Sequence, residues 1–444
     1  MAWTQFVSTS TFELPLRTRS RICVFLLAIG IPGFWMAVKI TRITVASTLG
    51  ESARLPDLRR ALALDPLNPA IHRRLGLVYS FSFGDISPPD AVKQFCQAVE
   101  LSPQNAYCWA EFAQACEEVG DNGCADQALD HALSLSPMTP RLHWITANHY
   151  LRTDRTDLAL VHFRRLLELS PSYAAQTFRV CLQLISDPQV VYAKVLPPDG
   201  NSKLGLAFVN FLSTQNDLGN AYQIWRQVAH QSSGVGFAEA QPFLDHLLSD
   251  GRIQEAQTVW HDLIRLGAVR KPPDPDQANM VFNGGFERSP LNGGFDWRLQ
   301  PGPYVSVDFS DTSSYQGGQC LRVDFLVRRN EEFEPVYQIV PVAPNQTYLL
   351  TAYTRSKDIT SDSGPRLRVL DPFHPESLQA STETTLGTTS WHLLNTKFKA
   401  GTQTQCVSLS IWRPRSRSFP SEISGVFWVD AISLKPLNSD QGPR

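Results

Sequence analysis

The chain has 444 residues, 43% of them hydrophobic, and its 40 basic and 42 acidic residues give a net charge of -2. This balance argues against the basic surface of a nucleic-acid-binding protein and against an acidic tail, so we expect no nucleic-acid partner. The hydrophobic content argues against a wholly disordered chain, and the length allows two or three domains.

The first predicted element is an uncharged apolar segment at residues 22–38. Its length is at the lower limit for a helix that crosses a bilayer. Basic residues are denser before it, at 17–21, than after it, at 39–42, which favours a cytoplasmic N-terminus. We therefore predict a cytoplasmic tail (1–21), a transmembrane anchor (22–38), and a single-pass protein of the inner (plasma) membrane with most of the chain outside the cytoplasm.

Two other interpretations of this segment stay open. A cleaved signal peptide would need its small-residue cleavage site near residues 44–46, beyond two basic residues, which fits that class poorly. A buried helix of a soluble domain has a similar composition, and the sequence does not separate it from an anchor.

A repeat with a period of 34 residues follows. Three columns keep this interval: Ala91, Ala125 and Ala159; Phe95, Leu129 and Phe163; Pro103, Pro137 and Pro171. A period in this range indicates stacked helical units that bury their faces against one another. In the clearest unit, 106–137, apolar residues recur at helical spacing on both sides of a turn at 120–123.

This unit resembles the tetratricopeptide repeat. The residues that carry the resemblance are Trp109, Ala113, Gly120, Asp121, Ala125, Leu129, Ala132 and Pro137. The preceding unit departs by a few extra residues around 86–89, and the following one has Leu166 where a small residue is usual. The resemblance spans about 58–267 and predicts an all-α solenoid over 45–267, with worn hairpins at its end carrying Trp225 and Trp260.

The resemblance implies that protein partners bind in a concave groove lined by the first helix of each pair. The residues it places there are Tyr107, Ala110, Gln114, Glu117, Arg141, Trp144, Asn148 and Arg152. Trp144 lies outside the apolar stripe by which its helix packs on the rest of the repeat. It is therefore either an anchor for a ligand or a side chain packed between units.

The eight cysteines form no CxxC pair and no Cys/His cluster with zinc spacing. Cys116 and Cys124 lie symmetrically about the turn at Gly120, and Cys320 and Cys406 each begin a strand-like run. Buried free thiols and one or two disulfides of an oxidising compartment both fit this pattern.

Beyond a proline-rich linker at 268–278, alternating apolar residues replace the helical period. Six runs predict strands: 320–327, 336–342, 347–355, 366–370, 406–413 and 427–434. Many short strands separated by turns are typical of a sandwich or jelly roll, which we place at 279–437.

A second resemblance rests on motifs in this region. Asn283-Gly284-Gly285-Phe286-Glu287, Trp297, 318–323, 348–353 and 428–434 follow one another in the order seen in jelly-roll carbohydrate-binding modules. The resemblance implies an all-β jelly roll and a glycan, such as a polysaccharide, as a candidate ligand.

The same resemblance places a structural calcium ion at Glu287 and Asp430, with backbone carbonyls completing its six to eight oxygen ligands. The family often has two adjacent aspartates where this chain has Asp430-Ala431. Ordinary hydrogen-bonded carboxylates remain the alternative. We expect no catalytic cofactor.

The alternation of inward and outward side chains along the strands predicts a ligand-binding face. If Tyr348, Leu350 and Ala352 point inward, Tyr353 and Arg355 point outward. In the same way, inward Val407, Leu409 and Ile411 leave Trp412 outside. These aromatic rings would stack on sugars and Arg355 would donate to hydroxyl or acidic groups, unless they pack under a loop.

The sequence contains no HExxH, GxSxG or phosphate-binding glycine motif, so we predict no catalysis. The favoured hypothesis is a membrane-anchored adaptor of the bacterial cell envelope, in a setting such as assembly or export of surface polysaccharide. The alternative is a glycan-active enzyme with its site in the β-domain, because sequence spacing does not exclude paired carboxylates.

Overall fold

Helices form the first part of the chain and strands the last. The computed structural model describes residues 19–437 apart from 53, 82–87, 198–201, 232–233, 273–275, 277, 301 and 420. The predicted tail up to residue 18, part of the predicted insertion at 86–89 and part of the linker lie outside the described residues. The chain divides into two compact units, Met1–Pro171 and Ser172–Arg444. The predicted domain boundaries differ from this division and stay predictions.

Helix α1 (Arg19–Gly50) contains the apolar segment but is longer than the predicted anchor. Its stretch Cys23–Gly50 is long and apolar enough to cross a membrane, a test that a signal sequence also passes. The end of the helix is buried at Ala46, which packs with Leu58 of α2 (Leu55–Leu64). The apolar helix therefore runs without a break into the first helix pair.

Among the described residues of the first unit, three helix hairpins follow α2. They are α3–α4 (Pro69–Phe81 and Pro88–Leu101), α5–α6 (Ala106–Glu118 and Asn122–Leu135) and α7–α8 (Pro140–Arg152 and Thr156–Leu169). The small residues of the repeat columns, Ala91, Ala125 and Ala159, are fully buried where paired helices approach closely. The turn at Gly120 has a positive φ of 81°, which glycine adopts without strain. These hairpins confirm the predicted helical repeats.

The described part of the second unit begins with six α-helices. They are α9 (Ala174–Leu184), α10 (Pro188–Val195), α11 (Ser202–Thr214), α12 (Leu218–Gln231), α13 (Phe237–Ser249) and α14 (Ile253–Arg265). Trp225 and Trp260 are buried in α12 and α14, and both of these helices pack on the helix before them. The two degenerate helix hairpins predicted around Trp225 and Trp260 are therefore present.

Ten antiparallel strands complete the described part of the second unit. They are β1 (Arg298–Leu299), β2 (Val305–Asp311), β3 (Cys320–Arg329), β4 (Phe333–Pro341), β5 (Thr347–Ile359), β6 (Arg366–Leu370), β7 (Gln379–Ser381), β8 (Gly387–Lys399), β9 (Cys406–Arg413) and β10 (Ile423–Pro436). Sheet A has the order β1-β4-β9-β6-β7, and sheet B has the order β2-β3-β10-β5-β8. Inward side chains of both sheets form one core, which also includes Trp297, the residue before β1. The result is the predicted jelly-roll-like sandwich, with all six predicted runs in strands.

The last helix hairpin packs directly on the sandwich. The Trp260 ring of α14 lies edge-on to Phe282 at 5.1 Å and to Phe295 at 5.9 Å. A carboxylate oxygen of Asp245 on α13 accepts from the Gly294 backbone at 2.8 Å and from Arg298 at 2.7 Å. Within the second unit, helices and sandwich therefore share an apolar and polar interface.

Candidate binding sites

One part of the predicted groove is open to solvent. Tyr107 and Gln114 are exposed on α5, and the Arg141 guanidinium of α7 lies 5.9 Å from the Tyr107 ring centroid. Trp144 is half-buried, with its ring 5.7 Å from Phe163 of the same hairpin. The Asn148 amide donates to the Trp144 carbonyl at 2.7 Å. This part of the face presents one aromatic ring and one cation, and Trp144 stays a predicted anchor.

Ala110 does not belong to this face, because it is 1% exposed and packs in the core of its hairpin. The groove prediction assumed that residues outside the apolar stripe of α5 (Trp109, Phe112, Ala113 and Cys116) face away from neighbouring helices. Helices α4 and α7 also pack on α5, so Ala110 is buried although it lies outside the apolar stripe.

Glu117 and Arg152, the remaining groove residues, are paired with each other. The Arg152 Nη2 donates to Glu117 Oε2 at 2.9 Å, and the Nδ1 of buried His149 lies 2.8 Å from the same oxygen. Burial favours the neutral carboxylic acid, but hydrogen bonds from Arg152 and His149 outweigh it and lower the pKa of Glu117. These two residues of the predicted groove therefore join helices α5 and α7.

Sequence reasoning missed the partners of this network. The His149 Nε2 lies 2.8 Å from Asp126 Oδ1 on α6, and Asp126 also accepts from Arg155 at 2.6 Å. The Arg155 hydrogen bond is the largest of the effects that lower the pKa of Asp126. No short-range pattern signals these contacts, because they join Asp126 on α6 to His149 on α7 and to Arg155 in the turn before α8.

In the sandwich, the two predicted metal residues come together. Glu287 and Asp430 line one cavity of about 440 Å³, and Tyr353 is also among its lining residues. Gly285 lies close to both carboxylates, since a Cβ on it would be 3.9 Å from an Asp430 oxygen and from the Glu287 side chain. The early turn and the last strand thus meet as the resemblance implied.

Both carboxylates hold the backbone of the turn at 315–319. Asp430 Oδ2 accepts the N–H groups of Tyr315 at 2.8 Å and Gln316 at 3.0 Å, and Glu287 Oε1 accepts that of Gly318 at 2.8 Å. Burial raises the pKa of Asp430 to about 6, although these N–H groups and that of Ala431 favour the ionised form.

The fit to calcium is incomplete. Two carboxylates supply part of the six to eight oxygens that calcium needs, and part of their accepting capacity is used by backbone N–H groups. The described residues contain no group of three or more His, Cys, Asp and Glu side chains placed to hold a metal ion. The calcium ion stays a prediction, with Glu287 and Asp430 as its ligands.

Tyr353 and Arg355 lie on the outer face of sheet B, as the alternation of buried residues along β5 predicts. The Tyr353 ring stacks on Tyr315 at 3.6 Å between centroids, and Trp391 lies 6.0 Å from Tyr315. Arg355 is placed over the Trp428 ring at 4.9 Å. Sequence reasoning missed Tyr315 and Trp391, which extend the aromatic surface around Tyr353.

Trp412 points outward as predicted, but on the other sheet. It lies on β9 in sheet A, where its indole N–H donates to Glu332 at 2.6 Å and Arg368 lies 4.6 Å from its ring. The structure therefore does not bring Trp412 together with Tyr353 and Arg355. Alternation separates inward from outward side chains but carries no information about which sheet a strand joins.

Comparison with known proteins finds solved structures similar to the helical part of the chain and others similar to the sandwich. The crystal structure of MamA is 15% identical, covers 40% of this chain and 85% of its own length, and has a TM-score of 0.25. The family 16 carbohydrate-binding module 2 is 20% identical, with coverages of 35% and 99% and a TM-score of 0.25. The enzymatically active domain of bacteriophage CBA120 tailspike protein 4 is 11% identical, with coverages of 36% and 22% and a TM-score of 0.27.

No protein-family model and no curated protein matches the chain. The TM-scores are too low for the structural likenesses to carry an argument about function. The fold assignment, tetratricopeptide-type helices followed by a sandwich like that of carbohydrate-binding modules, rests on the hairpins and sheets themselves.

Proposed function

We propose that this protein is a non-catalytic, membrane-anchored adaptor of the bacterial cell envelope. Its helical repeats bind protein partners, and its sandwich binds a glycan or another envelope component, in a setting such as assembly or export of surface polysaccharide. The observation that carries the proposal is the presence, in one chain, of tetratricopeptide-type hairpins and a sandwich with aromatic and arginine side chains on its outer faces.

The protein-binding part of the proposal rests on Tyr107 and its neighbours. Tyr107 is 45% exposed although it is a large aromatic residue, and Arg141 lies over its ring. Exposed tyrosine and arginine are typical anchors of protein interfaces. In-cell cross-linking of the full chain should capture a partner that Tyr107→Ala and Trp144→Ala lose. Arg165→Ala on the second helix of the α7–α8 hairpin is the control, and loss with this variant too would contradict a binding groove.

The glycan-binding part rests on two aromatic surfaces, one around Tyr353 and Arg355 on sheet B and one around Trp412 on sheet A. Aromatic rings beside hydrogen-bond donors suit the apolar faces and hydroxyl groups of sugars. A glycan array probed with the full chain, Tyr353→Ala and Trp412→Ala separates the two surfaces. Retention of every bound glycan by both variants would contradict this part.

The membrane part rests on α1. Trp35, with Lys39 placed 5.1 Å from its ring, has the character of residues at a membrane–water interface. We propose a single-pass topology in the inner (plasma) membrane with most of the chain outside the cytoplasm. Resistance to alkaline extraction, together with protease cleavage of the repeats from the outer side, tests it. Release from the membrane, or protection of the repeats, would contradict it.

The enzyme alternative would use paired carboxylates, of which Glu287 and Asp430 are a pair that shares a cavity. Asp430 is fully buried and accepts three backbone N–H groups, so it is poorly placed to exchange a proton with a substrate. We therefore propose that the pair holds the turn and performs no hydrolysis. Release of sugar from a glycan that the protein binds, abolished by Glu287→Gln, would overturn this.

A further inference from the structure

The outer face of sheet A carries an arginine without an acidic partner. Arg366 on β6 lies directly opposite Trp412 on β9, and its guanidinium is 5.7 Å from the Trp412 ring centroid. Among the described residues it makes no ion pair, and its Nε is buried with no hydrogen-bond partner. Burial lowers the pKa of Arg366, which reflects the cost of holding this charge out of water.

Its neighbour Arg368 on the same face has acidic partners, although its Nε, like that of Arg366, is buried without a hydrogen-bond partner among the described residues. Arg368 contacts Glu334 at 2.5 Å and Glu332 at 3.7 Å, and its side chain is 12% exposed. Glu332 also accepts the Trp412 indole N–H at 2.6 Å. The indole is therefore held in place, and the charge of Arg368 is compensated while that of Arg366 is not.

A second unsatisfied polar group lies beside them. Ser410 follows the same outward parity as Trp412 on β9 and stands opposite Arg368 on one side and Tyr337 on the other. It is 1% exposed, and its hydroxyl has no hydrogen-bond partner among the described residues. A buried hydroxyl without a partner is unfavourable unless a ligand or water completes it.

We propose that Arg366, Trp412 and Ser410 form a binding site for an anionic sugar, a glycan residue that carries a carboxylate. The carboxylate pairs with Arg366 through charge-assisted hydrogen bonds, the sugar ring packs on the half-exposed indole, and the Ser410 hydroxyl completes the polar contacts. A neutral sugar would leave the charge of Arg366 uncompensated, so the site favours acidic glycans. This inference rests on the proposed glycan binding and adds its chemical class.

The test compares two polymers that differ at one substituent of each sugar, a carboxylate in one and an uncharged hydroxymethyl group in the other. The full chain, purified in detergent, is titrated calorimetrically with a uronic acid polymer and with the same polymer after chemical reduction of its carboxylates. We expect the acidic form to bind about tenfold or more tightly, and higher ionic strength to weaken it. Arg366→Gln should bind both forms equally, whereas Lys397→Gln, the same charge loss on an exposed residue of sheet B, should retain the preference.

The outcomes separate the two proposals. Equal binding of both polymers, or an unchanged preference in Arg366→Gln, overturns the anionic site and leaves glycan binding in place. Binding of a sulfated polymer but not of the uronic acid polymer overturns the carboxylate assignment. Binding of neither, by a protein whose melting profile is intact, overturns glycan binding as well. Ser410→Ala removes the proposed hydroxyl contact to the sugar with little risk to folding, and it should weaken binding of both polymers.

Discussion

The imidazole of His149 joins two helix hairpins through Glu117. The Nδ1 of His149 on α7 lies 2.8 Å from a carboxylate oxygen of Glu117 on α5, and its Nε2 lies 2.8 Å from Asp126 on α6. Because His149 is 1% exposed, these contacts are shielded from water. A polar link of this kind adds specific contacts to the apolar packing between consecutive repeats.

Glu117→Gln should loosen this stacking. The change removes the charge that Arg152 and His149 contact, and we expect a loss of about 1–3 kcal/mol in local stability. Hydrogen exchange of the α5–α8 amides measures it. Glu118→Gln, an exposed neighbour, should change exchange by less than about 0.5 kcal/mol. Equal protection in both variants would show that the link is not structural.

Acid should destabilise the first unit through a histidine pair. His143 and His162 face each other with 3.2 Å between their Nδ1 atoms. Burial is the main cause that lowers the pKa of His162 to about 4, and the neighbouring charge of His143 lowers it further. The unfolded chain takes up this proton near pH 6.5, so stability is complete above that pH and falls as pH drops towards 4. Thermal unfolding followed by helical circular dichroism should show this slope, and His162→Gln should flatten it.

The turn of the α5–α6 hairpin is closed by a disulfide between Cys116 and Cys124, which settles one of the alternatives left by the sequence. Cys320 and Cys406 remain buried free thiols. From the short loop we expect a stabilisation of about 2–3 kcal/mol, an upper estimate from chain entropy. Reductant should lower the helical melting temperature of the wild type and leave a Cys116→Ser/Cys124→Ser variant unchanged. An unaltered wild type would contradict the bond.

Trp260→Ala should separate the last hairpin from the sandwich. The ring is 5% exposed and contacts Phe282 and Phe295 across the interface, so its removal leaves a cavity that costs about 3–5 kcal/mol. We expect faster protease cleavage between residues 268 and 278. His261→Ala, on an exposed neighbour, serves as the control, and equal cleavage in both variants would argue against this interface.

Calcium should stabilise the sandwich if Glu287 and Asp430 are its ligands. Burial raises the pKa of Asp430 to about 6, and a divalent cation would compensate the charge of the buried carboxylate. We expect calcium, but not magnesium, to raise the melting temperature of the wild type and to leave Asp430→Asn unaffected. No shift in the wild type would mean that the two carboxylates serve only to hold the turn at 315–319.

Several features were predictable because they are local. Ala125 and Leu129 recur at the repeat period because each hairpin buries the same positions, and the inward Leu350 and outward Tyr353 follow from alternation along one strand. Strands β1 and β7 escaped prediction because they have only two and three residues. Strands β2 and β8 were missed as well, although Val305, Val307 and Phe309 of β2 alternate with polar residues. Helix α1 is longer than the apolar segment because nothing between Lys39 and Gly50 breaks it and its end packs on α2, so the bounds of the anchor stay a prediction.

By itself, the sequence determined the classes of structure: an apolar helix, helix hairpins with a 34-residue period, and a β-sandwich with known inward faces. These depend on the periodicity of burial, which each segment carries in its own residues. The tertiary structure alone decided that Trp412 lies on a different sheet from Tyr353, beside Arg366, and that His149 meets Glu117 and Asp126. Those juxtapositions depend on which strands and helices become neighbours, a choice made by packing between segments far apart in the chain.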